Sequence, residues 1–443
     1  MISVGNNKAV LCKGDFHPAA LYKGDKKIAG YSVEEFSGEG SVVLENCYND
    51  KLHNAQIIGN SIQDGTPTPE APIEVQSVGK LVTEGEYAGK YKILVRARGK
   101  NLFNPNLRKN VWSNGLNLKY LPDEDCFVIN GTVTEGHTGG IDLGRNHANL
   151  GIKVKSGKYY KNSVVFLGGS TSKVVNLYSF FGTNSTGEGI SPTNWEDVDF
   201  SSNVAEGYTK SVTSLPNGAY ISSYWVYLYN VSGVTFNNFK FRVMLTETDA
   251  TSGSTSNAPI DYEPYIEPQT FNIYLDEPLR KIGDYADYMD FGKSMVVRSV
   301  KKLLLSGSED WKESGYNNQI KIDYIQFWTD YCRNITGGYV ALSNKFKCVG
   351  QKEWSDLKLE QEFFAVTSTP DFGIRLSTSK VTSLNEFTKW LSENNVALLF
   401  SLATPTEDLI DLPELPTFKG TTIIEVDTEI PAKISGKYKR TEE

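Results

Sequence analysis

The stretch from Ile221 to Tyr229 places three large aromatic side chains, Trp225, Tyr227 and Tyr229, at every second position. In a regular strand, residues two apart share a face, so this spacing predicts an aromatic strip. Flat rings stack on the C–H faces of sugars while neighbouring polar groups take up the hydroxyls. The same strip also suits burial against a second sheet or a neighbouring subunit, because aromatic residues dominate cores and interfaces. Trp112 and Trp195 lie in polar surroundings, NVWSNG and PTNWEDVD, which read as loops. A loop tryptophan can contact a ligand or anchor its own loop. These five residues are the glycan-binding candidates.

Carboxylate pairs raise a second chemistry. Asp261 with Glu263, and Asp284 with Asp287 and Asp290, have the short spacings from which a glycosidase pair can be built. Glycoside hydrolysis needs two carboxyls about 5–9.5 Å apart across a cleft, and solvated surface pairs meet that distance as readily. His137, Asp142 and His147 in GHTGGIDLGRNH have no recognised zinc spacing. A structural calcium held by backbone and Asp/Asn oxygens is compatible with the sequence, which does not locate it. We expect no other cofactor. There is no GxSxG elbow and no phosphate-binding GxxxxGK[ST] loop. Four histidines leave little for acid–base work near neutral pH.

The elements that would position these residues are strands. The chain has 443 residues, with 24 Tyr, 21 Phe and 39 Gly. Long Ala/Leu/Glu/Lys runs are missing, which favours strands joined by turns. The formal net charge of -8 argues against a nucleic-acid binder, which needs a basic surface to displace counterions. No window reaches the roughly 18 apolar residues of a membrane span. Met1 opens a polar stretch with no secretory signal pattern. The five cysteines are scattered and unpaired in sequence, and read as reduced thiols, mostly buried.

Four segments follow. Residues 1–59 read as a small attachment module with a hairpin at AALYKGDKKIAGY and a strand near Ser41 to Leu44. Residues 60–99 begin with NSIQDGTPTPEAPIEVQSVG, where Pro67, Pro69 and Pro72 predict a stiff, extended spacer. Within it, Ile73, Val75 and Ser77 alternate as a strand face. In YKILVRARG, Ile93, Val95 and Ala97 share one face. Residues 100–268 read as one all-β unit, with strands at CFVINGTVT, KYYKNSVVFLG, KVVNLYSFFGT, AYISSYWVYLYNV and NFKFRVMLTE. In the last of these, Phe239, Phe241, Val243 and Leu245 alternate with Lys240 and Arg242, the mark of one buried and one wet face. Residues 269–443 form a further β-rich region. It holds one helix, Ser383 to Asn395, with a Ser383–Glu386 capping box. VALLFSLATP is read as an apolar strand ended by its proline. The expected fold is therefore mainly β and multi-domain: a central jelly-roll β-sandwich, small flanking β modules, and one short helix near the C-terminus.

Several stretches carry a likeness. NSIQDGTPTPEAPIEVQSVG followed by GKNLFNP resembles a segment of tail and baseplate-associated proteins of phages and prophages of Gram-positive bacteria. VINGTVTEG and IDYEPYIEP resemble the opening and closing parts of that family's jelly-roll module. LDEPLRKIGDYADYMDF and FSLATPTEDLIDLPELPTFKGTTIIEVDTEI resemble its C-terminal region. The likeness implies a virion component at the tail tip or in a fibre, made in the host cytoplasm and contributing to host attachment. It implies a carbohydrate-binding-like jelly roll facing cell-wall or capsular polysaccharide, other tail or baseplate proteins as partners, and a homotrimer or other cyclic oligomer. It supplies no catalytic residues, so a non-enzyme is expected. The alternatives are a tail depolymerase and a purely architectural tail protein.

Overall fold

The computed structural model describes residues 2–4, 7–9, 20–23, 26–47, 52, 54–107, 111–134, 141–142, 152–153, 155, 158–173, 176–184, 194–201, 208–211, 220–229, 232–248, 261–315, 323–329, 340–366 and 372–441. The chain forms two compact units. The first comprises Met1–Ala97, Gln269–Lys419 and Ile423–Glu443; the second comprises Arg98–Pro268 with Gly420–Thr422. The architecture is mainly β and multi-domain, with several sheets.

In the first unit, strands from both ends of the sequence share one sheet. Ser41–Cys47 and Gln56–Ile58 lie beside Lys433–Thr441, with Ile57 opposite Ile434 and Gln56 opposite Ser435. The segments read as an N-terminal module and a C-terminal region thus contribute to the same core, which contains Leu44, Ile57, Met289 and Ile434. Alternation selects the side chains that enter this core. Ile93, Val95 and Ala97 of strand Tyr91–Arg98 are fully buried, while Arg96 is exposed.

The helix Leu384–Asn394 seats Phe387 and Leu391 in a second core of this unit. Phe387 stacks on Phe327, with ring centroids 4.0 Å apart, and meets Trp311 edge-on at 5.0 Å. Burying a side chain of this size contributes about 1.5–3 kcal/mol. Ser383 caps the helix, accepting from the Glu386 amide, and Asn395 ends it in the left-handed region with φ 49. The return half of the expected capping box is displaced by one residue. Glu386 Oε2 accepts from the Thr382 amide at 2.7 Å, not from Ser383. A second, five-residue helix, Gln351–Ser355, was not foreseen.

The proline-rich stretch is not an extended spacer. Thr68 and Ala71 exchange backbone hydrogen bonds, each 3.1 Å, so TPEA folds as a tight turn with Pro69 at its second position. Proline's fixed φ suits that position. The segment is then tied along the first unit. The Gln63 side-chain amide donates to the carbonyls of Ile73 and Ser343, at 2.8 and 2.9 Å. The Ile73 amide donates to Asn344 O at 2.8 Å, and Lys380 bridges Glu70 and Glu362. Pro67 is buried. The stretch is a strap. Its expected alternation survives: Ile73, Val75 and Ser77 are half-buried between exposed Glu74 and Gln76.

The apolar strand does not stop at its proline either. Val396–Leu409 runs through Pro405, which sits at an irregularity where Arg298 faces Thr406 and Val300 faces Ser401. Such breaks in the ladder tolerate a residue with no N–H.

The second unit contains two antiparallel sheets, the arrangement of a β-sandwich. One is six-stranded, in the order Val111–Ser113, Leu116–Leu121, Cys126–Thr132, Thr235–Thr248, Tyr159–Thr171, Tyr208–Ser211. The other is five-stranded and contains Ile141–Asp142, Tyr220–Tyr229, Asn176–Asn184 and Asn194–Ser201 in that order, with Ile152–Lys153 also paired to Tyr220–Tyr229. Phe239, Phe241, Val243 and Leu245 are buried as their alternation predicts. Met244 and Thr246 are buried too, so the wet face of that strand ends at Arg242.

Candidate functional site

Strand Tyr220–Tyr229 pairs in continuous register with Asn176–Asn184 from Asn176↔Tyr229 to Gly182↔Ser223. Phe180 is the partner of Trp225, Tyr178 of Tyr227 and Asn176 of Tyr229. The three candidates therefore occupy alternate positions of an unbroken ladder, as the spacing requires. Leu228, at the opposite parity, is buried.

Trp112 and Trp195 are not in loops. Trp112 lies in strand Val111–Ser113, opposite Asn117, and Trp195 lies in strand Asn194–Ser201, opposite Gly182. For Trp112 the reason is the next pair of residues. Asn114 and Gly115 take φ 51 and 87, forming the two-residue hairpin turn that Asn-Gly favours. A Cβ on Gly115 would stand 2.1 Å from Thr132 O. The polar letters after Trp112 were a turn signal. For Trp195, the alternation of Val198 and Phe200 with Asp197 and Asp199 was the available strand signal.

Three of the five carboxylates considered for catalysis, Glu263, Asp287 and Asp290, are tied into the fold, and two, Asp261 and Asp284, are exposed. Asp287 is fully buried. Its Oδ1 accepts from the amides of Ser299 and Val300 at 2.8 and 2.9 Å; its Oδ2 accepts from the Arg280 amide at 3.1 Å and from Arg298 Nη1 at 3.3 Å. Burial pushes this carboxyl up from its usual range, against the opposing pull of those amides and Arg298. Asp290 caps the following turn, accepting from Gly292 and Lys293 at 3.0 and 3.1 Å, and also from Gln56 Nε2 at 3.2 Å. Asp284 is exposed. Glu263 accepts from the Thr421 amide at 3.0 Å and the Thr421 hydroxyl at 2.6 Å, with Lys100 Nζ 3.5 Å away. Asp261 is exposed, 3.9 Å from the same lysine.

A further cluster was missed by sequence reasoning. Asp125 ends the turn after Leu121 with φ 46. Its two carboxylate oxygens accept from the hydroxyls of Tyr120 and Tyr262, each at 2.7 Å. Arg242 donates to the carbonyls of Asp125 and Glu124 at 2.9 and 2.8 Å, and its guanidinium lies 4.9 Å from the centre of the Tyr262 ring. Burial and the adjacent Asp125 push both phenols well above the ordinary tyrosine range. Both hydroxyls are therefore fixed as donors at neutral pH. The cluster pins 261–268 to the hairpin of the six-stranded sheet. Asn101 does similar work in the same unit: its side-chain oxygen accepts from Phe103 and Leu245, and its nitrogen donates to Glu263 O and Val243 O.

Among the described residues no group of three His, Cys, Asp or Glu side chains is placed to hold a metal ion. His137 and His147 lie outside them, while Asp142 is in the short strand Ile141–Asp142. Cys47 and Cys126 are buried and form no disulfide, and the Cys47 thiol donates to Leu44 O at 3.2 Å. Cys348 is half-buried, and burial pushes its thiol up to about 11. Cys12 and Cys332 lie outside the described residues. Among the described residues no helix is long and apolar enough to cross a membrane.

The first unit also has a groove of about 400 Å³, walled by Gln63, Gly65, Thr66 and Pro67 of the strap and by Val340–Ser343 and Phe346–Gly350. No protein-family model, curated protein or solved structure matches this chain.

Proposed function

We propose that this chain is a non-enzymatic structural and adhesion protein of a phage tail or tail-like particle, attaching to surface glycans of a Gram-positive host. One relationship supports the reading best. The chain leaves the first unit at Ala97 and re-enters it at Gln269, and these two residues are register partners on adjacent strands. The chain of one β unit is thus inserted between two paired strands of a larger one. That is an economical way to mount a recognition module on a structural part. The two antiparallel sheets of the second unit support a jelly roll, and the alternate placement of Trp225, Tyr227 and Tyr229 supports a sugar-stacking strip on it.

On this reading the partners are other tail or baseplate proteins and a cell-wall or capsular polysaccharide. The assembly is a homotrimer or other cyclic oligomer, since symmetric particles present repeated copies. Weak single contacts then add through effective concentration. The test is direct. Fluorescently labelled full-length protein is incubated with cells of a panel of Gram-positive strains, alongside a Trp225→Ala/Tyr227→Ala/Tyr229→Ala variant. Strain-selective binding that the variant loses is expected. Binding to no strain, or release of reducing ends from the envelope polysaccharide, would overturn the reading.

A further inference from the structure

The first unit carries an aromatic feature outside the module just discussed. Strands Lys80–Leu81 and Tyr91–Arg98 form a hairpin whose tip is closed by its own backbone. Val82 donates to Lys90 O and Gly89 to Val82 O, both at 2.8 Å; Lys90 donates to Tyr87 O at 3.0 Å, and Ala88 to Gly85 O at 3.1 Å. Gly85 and Gly89, at φ 85 and 84, permit so tight a fold. The tip holds Tyr87 flat on Tyr274 of strand Gln269–Leu275, with ring centroids 3.9 Å apart and planes within 9°. Even so, Tyr87 is 40% exposed.

Register defines the rest of the surface. Lys92 faces Tyr274, Leu94 faces Asn272 and Arg96 faces Thr270. Ile93, Val95 and Ile273, at the opposite parity, are buried, so Tyr274, Asn272 and Thr270 share the outer face. Residues two apart on a strand are about 6.6 Å from one another, roughly the span of a sugar ring. An amide and a hydroxyl therefore stand in line with the stacked rings. Lys90 is paired with Asp276 and Arg96 with Glu425, while Lys92 stands across from Tyr274 and Glu84 and Glu86 lie beside Tyr87 in the tip, so the surface carries both signs in near balance.

We propose that Tyr87, Tyr274, Asn272 and Thr270 form a subsite for a neutral saccharide, separate from the second unit's candidate strip. The size of the feature selects this occupant. The exposed part of Tyr87 is about 80 Å², taking a tyrosine as roughly 200 Å². A stable protein interface needs about 800 Å² per partner, an order of magnitude more. Leu81, the neighbouring exposed apolar residue, pairs with Tyr91 and so belongs to the other face. A rigid tyrosine on a hydrogen-bonded tip loses little freedom on binding. Balanced charge favours a neutral ligand over an anionic one.

The subsite rests on the attachment reading and adds a second contact point to it. The test reads Tyr87 alone. Full-length protein with meta-fluorotyrosine at position 87 is followed by fluorine NMR during titration with cellotetraose, chitotetraose and a galactose tetrasaccharide. We expect a saturable shift with at least one of them at millimolar concentration, and at least about tenfold weaker binding in Asn272→Ala. No shift with any of the three, or an unchanged titration in Asn272→Ala, overturns the subsite. Cell binding is measured in parallel with wild type and Tyr87→Ala. Cell binding without a Tyr87 response removes the subsite and leaves attachment standing, whereas absence of cell binding by wild type removes attachment. Loss of cell binding in Tyr87→Ala without a saccharide response reassigns the tip to a protein contact and also overturns the subsite.

Discussion

Ala97 and Gln269 face one another across the ladder that runs back to Tyr91 and Leu275. The ends of the intervening chain are therefore already held at strand spacing, about 4.8 Å apart. Replacing 98–268 by an Asn-Gly turn is expected to leave the first unit folded, with a cooperative thermal transition by circular dichroism. Thr421 loses its partner Glu263 in that shortened chain, at a cost of about 1–2 kcal/mol. A chain that melts without cooperativity would show that the first unit depends on the insertion.

Asp287 is the most heavily used side chain of the GDYADYMDF stretch. Asp287→Ala strands three backbone donors and Arg298 around an empty site. The expected loss is about 3–5 kcal/mol, read by urea denaturation. A loss under about 1 kcal/mol would mean that water satisfies those donors.

Tyr262→Phe removes one hydroxyl from Asp125 and keeps the ring under Arg242. It is expected to cost about 0.5–1.5 kcal/mol. Amide exchange should quicken selectively in 261–268, because that segment is what the hydroxyl holds down. Uniform exchange across the unit would contradict the pinning role.

Two acids give stability opposite pH dependences. Burial alone raises Glu309, but the Ser306 amide at 2.8 Å and the Trp311 indole at 3.0 Å outweigh it and hold the carboxyl below its usual 4.5. Its contribution is present above 4.5 and is lost as pH falls through the lower folded value. Asp287 is raised above 3.8 by burial, so its protonated form is favoured by folding and stability falls as pH rises from 3.8 toward the folded value. Acid titration of Tm should therefore narrow the gap between wild type and Glu309→Gln and widen the gap between wild type and Asp287→Asn. Parallel curves would refute both assignments.

Strand content was legible wherever one face is buried. The alternation in YKILVRARG and NFKFRVML placed Ile93, Val95, Phe239 and Phe241 in cores, and Ser383 marked its helix start. What misled was polarity and proline read without geometry. NVWSNG looked like a loop because its hairpin turn is only two residues long. TPTPEAP looked extended because preferences at each proline were summed, whereas Pro69 serves a turn that the partners Ser343, Asn344 and Lys380 then fix in place. Those partners lie far away in sequence, and no local pattern announces them. The same holds for Asp287 and Glu263. Their spacing suggested acid chemistry, but which donors surround a carboxylate is decided by tertiary structure.

The pairing of Gln56 and Ile57 with Ser435 and Ile434 sets an order of events during synthesis. A ribosome must deliver all of residues 59–432 before that seam can zip, and closing so long a loop is slow. The strands of the second unit's two sheets lie between Val111 and Thr248, so they emerge together and can condense while the first unit still waits for Lys433–Thr441. Truncation at Ile430 would thus leave the second unit folded and the first with an unfinished sheet whose raw edge invites aggregation.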